Sequence, residues 1–189
     1  MRAGICPYTR RMTQTAGGAQ FVLDLPAGFR IHTDRLHLVP ASHQLVGNWQ
    51  DRARLSQLLD ARVPDEWPPE LVEDYDAEGD GGWWDWYVLK RDADRPTLVG
   101  VVGLKGWPEV NGSVQIGCAF MPEFQRQGYG AESITAFVSW LLSCPRVQSV
   151  TARVPAGHIP SVAILRKIGF APAGPPNDAG LIRFEKARA

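Results

Sequence analysis

The sequence has no excess of charge of either sign, because 20 basic residues balance 20 acidic ones. Nucleic-acid-binding proteins usually carry a basic patch, so this balance argues against a nucleic-acid partner. No apolar run approaches the roughly 18 residues that a membrane-spanning helix needs, which argues against a membrane protein. Three cysteines, Cys6, Cys118 and Cys144, lack metal-ligand spacing and leave an odd thiol, which argues against a metal site and favours reduced thiols and a cytoplasmic location.

The amino-terminal segment lacks both hydrophobic periodicity and the apolar stretch of a secretory signal. We expect residues 1–20 to be a mobile tail, or an upstream extension of a protein whose natural start is Met12. The rest of the sequence, 21–189, shows no internal repeat and no second domain boundary. Chains of this size suit one domain, which buries roughly 70% of the unfolded surface.

Hydrophobic periodicity predicts alternating strands and helices. Ser42 is placed to cap a helix in which Leu45 and Leu59 share a stripe, and a proline-rich segment at 63–70 ends that helix. The other predicted elements of the flanking regions are a first strand at Arg30–Pro40, a short acidic helix at Pro69–Ala77, a hairpin of Trp83–Lys90 with Thr97–Leu104, and a last strand at Leu181–Lys186.

The stretch from Ser113 to Gly130 organises the rest of the chain. Residues 113–120 alternate with a period of two, which predicts a strand with one buried face and makes Cys118 a small core residue. Gly117 in its middle indicates a bulge or a close backbone approach. A glycine-bearing turn then leads into an amphipathic helical pattern, and a second strand is predicted at Val147–Val154.

The turn Gln125–Gly130 predicts an anion site. A turn between a strand and a helix exposes unpaired N–H groups at the positive end of the helix dipole, which suits a phosphate. The motif is not Walker A, since no Gly-Lys-Ser/Thr follows, and its glycines are not in the G-x-G-x-x-G order of dinucleotide sites. The alternative is an ordinary glycine-containing turn.

Two spaced motifs resemble the GNAT superfamily of N-acyltransferases. The pattern Gln125-x-x-Gly128-x-Gly130 is similar to its acetyl-CoA site, and the segment 158–170 is similar to its N-x-x-S…L-x-K-x-G-F signature. The segment 33–36, Thr-Asp-Arg-Leu, resembles the T-x-R-L opening of the branch that includes ribosomal-protein N-terminal acetyltransferases. The resemblance spans about Ile31 to Lys186.

The resemblance implies a GNAT fold of the mixed α/β (α+β) class. We expect a mostly antiparallel central sheet of about six to seven strands, helices on both faces, and a V-shaped splay between two central parallel strands. Backbone groups left unpaired at the splay would bind the pantetheine arm of acetyl-CoA, the implied co-substrate. The expected donor-binding residues are Phe120, Met121, Gln125, Arg126, Gln127, Gly128, Tyr129, Gly130, Ala131, His158 and Ser161.

Acyl transfer to an amine needs an acid for the leaving thiolate and a base for the ammonium. Ser161 is the candidate acid, with a helix-start role as the alternative, because the late tyrosine of many family members is missing after Tyr129. Gln115 stands where relatives often carry a glutamate. Candidate bases are therefore Glu109, Asp85 and His158. His158 replaces the family's usual asparagine, and a structural role is its alternative.

We expect aromatic and acidic residues to bind the amine acceptor. Trp67 and the acidic positions Glu70, Glu73, Asp74 and Asp76 fall where the family builds one wall of the acceptor groove, although a solvated helix face is the alternative. Trp84 and Asp85 are further candidates, but large aromatic residues are more often core.

These features predict an enzyme that transfers an acetyl group from acetyl-CoA to a primary amine, either a protein or peptide N-terminus or a small molecule, in a monomer or homodimer. One alternative is a catalytically silent acyl-CoA-binding or sensory domain. Another is a scaffold with an aromatic interaction surface, which seven tryptophans would supply.

Overall fold

The computed structural model describes residues 12–15, 18–21, 25, 28–69, 84–105 and 109–189. The elements of this part of the chain are β1 (Met12–Thr15), β2 (Gly18–Phe21), β3 (Ile31–His32), β4 (Leu36–Pro40), α1 (His43–Gly47), α2 (Arg52–Leu59), β5 (Trp84–Lys90), β6 (Thr97–Leu104), β7 (Ser113–Phe120), α3 (Tyr129–Ser143), β8 (Ser149–Pro155), α4 (Ile159–Lys167), β9 (Ala171–Pro172) and β10 (Leu181–Ala187).

In the described part of the chain, the central sheet has eight strands in the order β3-β4-β5-β6-β7-β8-β10-β9. Every neighbouring pair is antiparallel except β7 and β8, which run parallel. The mixed, mostly antiparallel sheet is thereby confirmed. It has more strands than predicted, because the expected first strand is a tight hairpin of β3 and β4, and because the two-residue β9 adds an edge.

The parallel pair separates part-way along its length. β7 and β8 are in register from Ser113 and Ser149 to Ile116 and Ala152, and then the pairing stops. β7 continues to Phe120, whereas β8 stays paired with β10 along its whole length. The predicted splay is confirmed. It opens at the sheet edge where α3 and α4 begin.

Helices cover both faces of the sheet, as predicted. Alternate residues of β5 divide between two cores, because successive side chains of a strand point to opposite faces. Trp86 and Val88 pack in the core that contains the α3 residues Phe137 and Leu141. Tyr87 and Leu89 of the same strand pack in the second core, beneath α1 and α2. The other buried members of this core include Leu45, Leu55 and Leu59.

The bulge lies in β6, not at Gly117 as the sequence suggested. Val88 pairs with Gly100 but the next residue of β5 pairs with Leu98, so Val99 is the extra residue. Gly117 pairs regularly with Gly103, and the β6–β7 register has no shift.

Two other expectations changed near the amino terminus. The predicted single helix is divided into α1 and α2, because Asp51 caps a new start: its carboxylate accepts from the Arg54 N–H at 2.9 Å. Ser42 accepts from the Leu45 N–H at 3.3 Å, as a cap should.

β1 and β2 form a hairpin where no element was predicted, and the helix predicted at Pro69–Ala77 lies outside the described residues. The division into a tail and one domain stays a prediction.

We expect Gly100→Ala to lower the free energy of unfolding by about 1–3 kcal/mol, the usual cost of overpacking. An added Cβ would lie 2.4 Å from the Ala119 carbonyl oxygen and 2.7 Å from the Phe120 ring, so β7 would have to move. Chemical denaturation measures the change. The control is Gly47→Ala, where a Cβ meets nothing within 4 Å. Equal stability of the two variants would contradict the packing described here.

Candidate active site

The turn between β7 and α3 leaves a row of amides without acceptors. Gly128 is the N-cap of α3, has φ of +85°, and provides no side-chain cap. The first helical bond runs from Glu132 N–H to the Gly128 carbonyl, so the three amides before it have no intrahelical acceptor. Arg126 is also left-handed, with φ of +59°. Left-handed residues in a turn can direct successive N–H groups to one side, which is the arrangement of known anion-binding concavities.

Both glutamines of the turn use their side chains to hold the turn itself. Gln125 Nε2 donates to the Phe120 carbonyl at 2.9 Å, and Gln127 Nε2 donates to the Glu123 carbonyl at 2.6 Å. The side chains of these two predicted donor-binding residues therefore hold the turn in place, and the predicted contact of their backbone amides with the donor stays a prediction. A Cβ on Gly130 would contact the Phe120 ring at 3.5 Å, an ordinary distance, so the protein itself leaves room for alanine there.

The backbone of β7 offers alternate residues to the splay. Gln115 and Met121 face β6: the former accepts from Lys105 N–H at 2.7 Å, and the latter donates to the Val99 carbonyl at 3.0 Å. Val114 faces β8, since its carbonyl accepts from the Thr151 hydroxyl at 3.3 Å. Because direction alternates along a strand, the even-numbered residues beyond the end of pairing face the gap. Those residues are Cys118 and Phe120.

The backbone of Met121, a predicted donor-binding residue, is already bonded within the protein. Its N–H is used by Val99 and its carbonyl accepts from Phe124 N–H at 2.9 Å, while its side chain is fully buried. The geometry retains Phe120 and adds Cys118, which sequence reasoning had assigned to the core. The period-two pattern of residues 113–120 showed which residues share a face with Cys118. It did not show where the pairing of β7 with β8 ends.

Cys118 is exposed rather than buried. Residues 114 and 116 on the same face are covered, but Cys118 lies beyond the last paired position, where the sheet has opened. The thiol is recessed: solvent reaches it, yet surrounding protein desolvates it and raises its pKa to about 11, against a smaller opposing effect of Lys105. A thiol with this pKa is a poor nucleophile at neutral pH.

We expect alkylation of Cys118 by iodoacetamide to speed up about tenfold per pH unit between pH 8 and 10, because the reactive thiolate is a small fraction throughout that range. Peptide mass spectrometry on a Cys6→Ser background separates this thiol from Cys144, which is buried. Acetyl-CoA should protect Cys118 if the pantetheine arm lies in the gap. A rate that levels off below pH 9 would contradict the raised pKa.

The structure brings two predicted site residues together at the start of α4. His158 Nδ1 and Ser161 Oγ are 2.7 Å apart. His158 is the N-cap residue but makes no side-chain cap bond, and it is exposed, whereas Ser161 is half-buried. Because β7 and β8 are parallel, α3 and α4 begin at the same sheet edge, one after each strand of the splay.

Glu109 lies at the opposite edge. Its N–H donates to the Ser113 carbonyl at the beginning of β7, and its carboxylate accepts from Asn111 Nδ2 at 3.3 Å. Phe120 is seven residues further along the strand, which corresponds to roughly 23 Å at 3.3 Å per residue. The structure does not bring Glu109 to the His158–Ser161 pair.

The candidate acceptor-binding residues lie in different environments. Trp67 is only 5% exposed, packs against Tyr87, and donates its indole N–H to the Trp49 carbonyl at 2.8 Å, which does not support the expected substrate contact. Asp85 is in register with Gly103, which pairs with Gly117. Trp84 occupies the neighbouring row. The acidic residues at positions 70, 73, 74 and 76 lie outside the described part of the chain.

Arg35 is a site residue that sequence reasoning named only as part of a motif. Its Nη1 donates to the Gln127 carbonyl at 3.0 Å and its Nε to Glu132 at 2.7 Å. The T-x-R-L motif was the available signal, but the partners of Arg35 are 92 and 97 residues away.

Within the described ranges, no cluster of three or more histidine, cysteine, aspartate or glutamate side chains could hold a metal ion. In the same ranges, no helix has the length and apolar character needed to cross a membrane.

The family model of the acetyltransferase (GNAT) domain matches residues 24–171, most of the chain. The chain belongs to the GNAT family. This GNAT chain is 34% identical over 92 residues to an uncharacterized N-acetyltransferase, YjdG, of Bacillus subtilis (strain 168); the match covers 49% of this chain and 54% of YjdG. The chain therefore spans about half the length of the curated relative it matches.

Solved GNAT structures share the fold. RimL, a ribosomal L7/L12 alpha-N-protein acetyltransferase in complex with coenzyme A, aligns with a TM-score of 0.59 at 14% identity, over 84% of this chain and 98% of its own. Spermidine N-acetyltransferase from Vibrio cholerae, in complex with CoA and spermine, aligns with a TM-score of 0.59 at 14% identity, over 82% of this chain and 97% of its own. The predicted GNAT fold is thereby confirmed.

Proposed function

We propose that this GNAT chain transfers an acetyl group from acetyl-CoA to a primary amine. The observation that carries the proposal is the splay itself: parallel strands that part at Ile116 and Ala152, with the amino termini of α3 and α4 at the open end. Both requirements of a thioester donor, an anion site and an unpaired strand edge, meet there.

The residues present fit acetyl-CoA. The amides of residues 129–131 have no intrahelical acceptor and suit a pyrophosphate, and exposed Arg126 adds positive charge. The Cys118 and Phe120 backbone groups would bind an extended pantetheine arm as they would bind a strand. When bound, acetyl-CoA supplies an activated acetyl group. We propose that the Cys118 N–H polarises its carbonyl, because this amide faces the gap.

His158 and Ser161 form a proton relay in this proposal. In the reaction, a bond forms between the amine nitrogen and the acetyl carbon, the carbon–sulfur bond breaks, and the amine loses a proton. Ser161 donates its hydroxyl proton to the departing sulfur, and His158, whose Nδ1 is 2.7 Å from Oγ, replaces that proton. Together, the histidine and the serine supply the acid for which this chain has no late tyrosine.

Asp85 stays the candidate base on the acceptor side. The neighbouring positions of its register row, on β6 and β7, are Gly103 and Gly117, and neither glycine contributes a side chain between Asp85 and β7. Protein or peptide N-termini and small polyamines are the acceptor classes proposed, because RimL and spermidine N-acetyltransferase share the fold. A cytoplasmic location and a monomeric or homodimeric state stay predictions.

A silent acyl-CoA-binding or sensory domain is the second candidate. Two observations favour it: Gln115 stands at the position where relatives often carry glutamate, and no tyrosine follows Tyr129. The donor site would be unchanged in such a protein, so only turnover distinguishes the two functions.

We expect Ser161→Ala and His158→Asn each to lower kcat by about 10², the lower end of general-acid catalysis, with acetyl-CoA affinity unchanged within threefold. The double variant should be no slower than the slower single variant, because the two residues serve one proton path. Thiol release on a panel of peptide N-termini, polyamines, aminoglycosides and amino acids measures kcat, and calorimetry measures the dissociation constant.

Ser143→Ala is the matched control, since the Ser143 hydroxyl only donates to the Trp140 carbonyl at 2.7 Å. Additive losses in the double variant would contradict the relay. Tight binding without turnover on any amine would favour the sensory domain. Failure of the wild-type protein to bind acetyl-CoA would overturn the donor site.

A further inference from the structure

The β3–β4 turn is held by its own hydrogen bonds and lies against the beginning of α3. Thr33 N–H donates to the Leu36 carbonyl at 3.0 Å, and Leu36 N–H donates back to the Thr33 hydroxyl at 2.9 Å. This arrangement fixes the backbone of residues 33–36. The turn therefore presents Arg35 from a rigid support.

Glu132, in the first turn of α3, binds this unit with three hydrogen bonds. Its carboxylate accepts from the Thr33 hydroxyl at 2.5 Å, from Arg35 N–H at 2.9 Å and from Arg35 Nε at 2.7 Å. The Glu132 side chain is 19% exposed. Burial alone would raise the pKa of Glu132, but the bonds from Thr33 and Arg35 and the charge of Arg35 lower it.

Arg35 also contacts the donor-binding turn directly. Its Nη1 donates to the Gln127 carbonyl at 3.0 Å, and its guanidinium carbon lies 4.7 Å from the Tyr129 ring centroid. A Cβ on Gly128 would lie 3.1 Å from Nη2. Arg35 thus contacts Gln127 and Tyr129, lies beside Gly128, and is anchored by Glu132.

The contact with Gln127 decides where the next amide points. A trans peptide is planar, so its C=O and the following N–H point in opposite directions. Because Arg35 holds the Gln127 carbonyl on its own side of the turn, the Gly128 N–H is directed to the other side. The same contact keeps a carbonyl dipole of the wrong sign away from an anion on that side.

We propose that Arg35 is a positioning residue that orders the anion-binding turn before the acyl donor arrives. The inference rests on the proposed binding of acetyl-CoA at residues 126–131. The charge of Arg35 is balanced by Glu132, so its contribution is orientation rather than attraction of phosphate. A planar guanidinium can bind the carboxylate and the carbonyl together, whereas a lysine ammonium presents no such fork.

Arg35→Lys tests this assignment, because it keeps the charge and removes the fork. We expect the dissociation constant for CoA and the KM for acetyl-CoA to rise about tenfold. The kcat at saturating acetyl-CoA and the KM for the amine should stay within twofold. A residue with a merely structural role would not separate these parameters. Calorimetry with CoA alone gives a readout that is independent of turnover.

Arg91→Lys is the matched control. Arg91 lines the same surface pocket as Arg35, and its Nη1 donates to the Asp34 carbonyl at 3.2 Å. Its CoA dissociation constant should equal that of the wild type.

Glu132→Gln is the second variant, in case Arg35→Lys does not fold. The glutamine keeps an oxygen for the Thr33 hydroxyl but loses the acceptor for Arg35 Nε, so it should weaken CoA binding severalfold. Wild-type affinity for CoA in either folded variant overturns the inference. If the wild-type protein itself does not bind CoA, the proposed function fails first. If it binds CoA normally, the variants judge the role of Arg35 alone.

Discussion

The structure depends on one interrupted ladder of hydrogen bonds. Among the described strands of the central sheet, β7 and β8 are the only parallel neighbours, and their pairing ends at Ile116 and Ala152 although both strands continue. Backbone N–H and C=O groups must be bonded to something. Each strand is bonded along its other edge, β7 to β6 and β8 to β10, so the unmatched groups line the gap between the two strands. The unpaired edge is therefore where we propose that an extended, strand-like ligand binds.

The two helices that follow these strands add the complementary charge. α3 and α4 both begin at the open end of the gap, and neither N-cap residue makes a side-chain cap bond. At α3 the uncapped end leaves amides for an anion. At α4 the N-cap histidine instead binds Ser161 at 2.7 Å. Uncapped helix ends cost stability in an isolated helix, and here they coincide with the proposed donor site and proton relay.

The sequence predicted correctly the features that neighbouring residues determine, and it failed where residues distant in the chain determine the outcome. Periodicity located β7 with its correct ends, and local glycine chemistry located the turn before α3, because both are set by neighbouring residues. The prediction that Cys118 is a buried core residue was wrong, because its burial depends on whether another strand lies beside it. The bulge was misplaced for the same reason: Val99 is extra only relative to β5.

The sequence by itself identified the family through two spaced motifs, and that resemblance implied the sheet with its splay. Short-range pattern located the strand β7 and the glycine-bearing turn before α3. Only the tertiary structure decided which groups meet. It joined Arg35 to Glu132 across 97 residues, paired His158 with Ser161, buried Trp67 and left Glu109 at the far edge. Such contacts depend on strand order and register, which bring distant residues together and which no local pattern encodes.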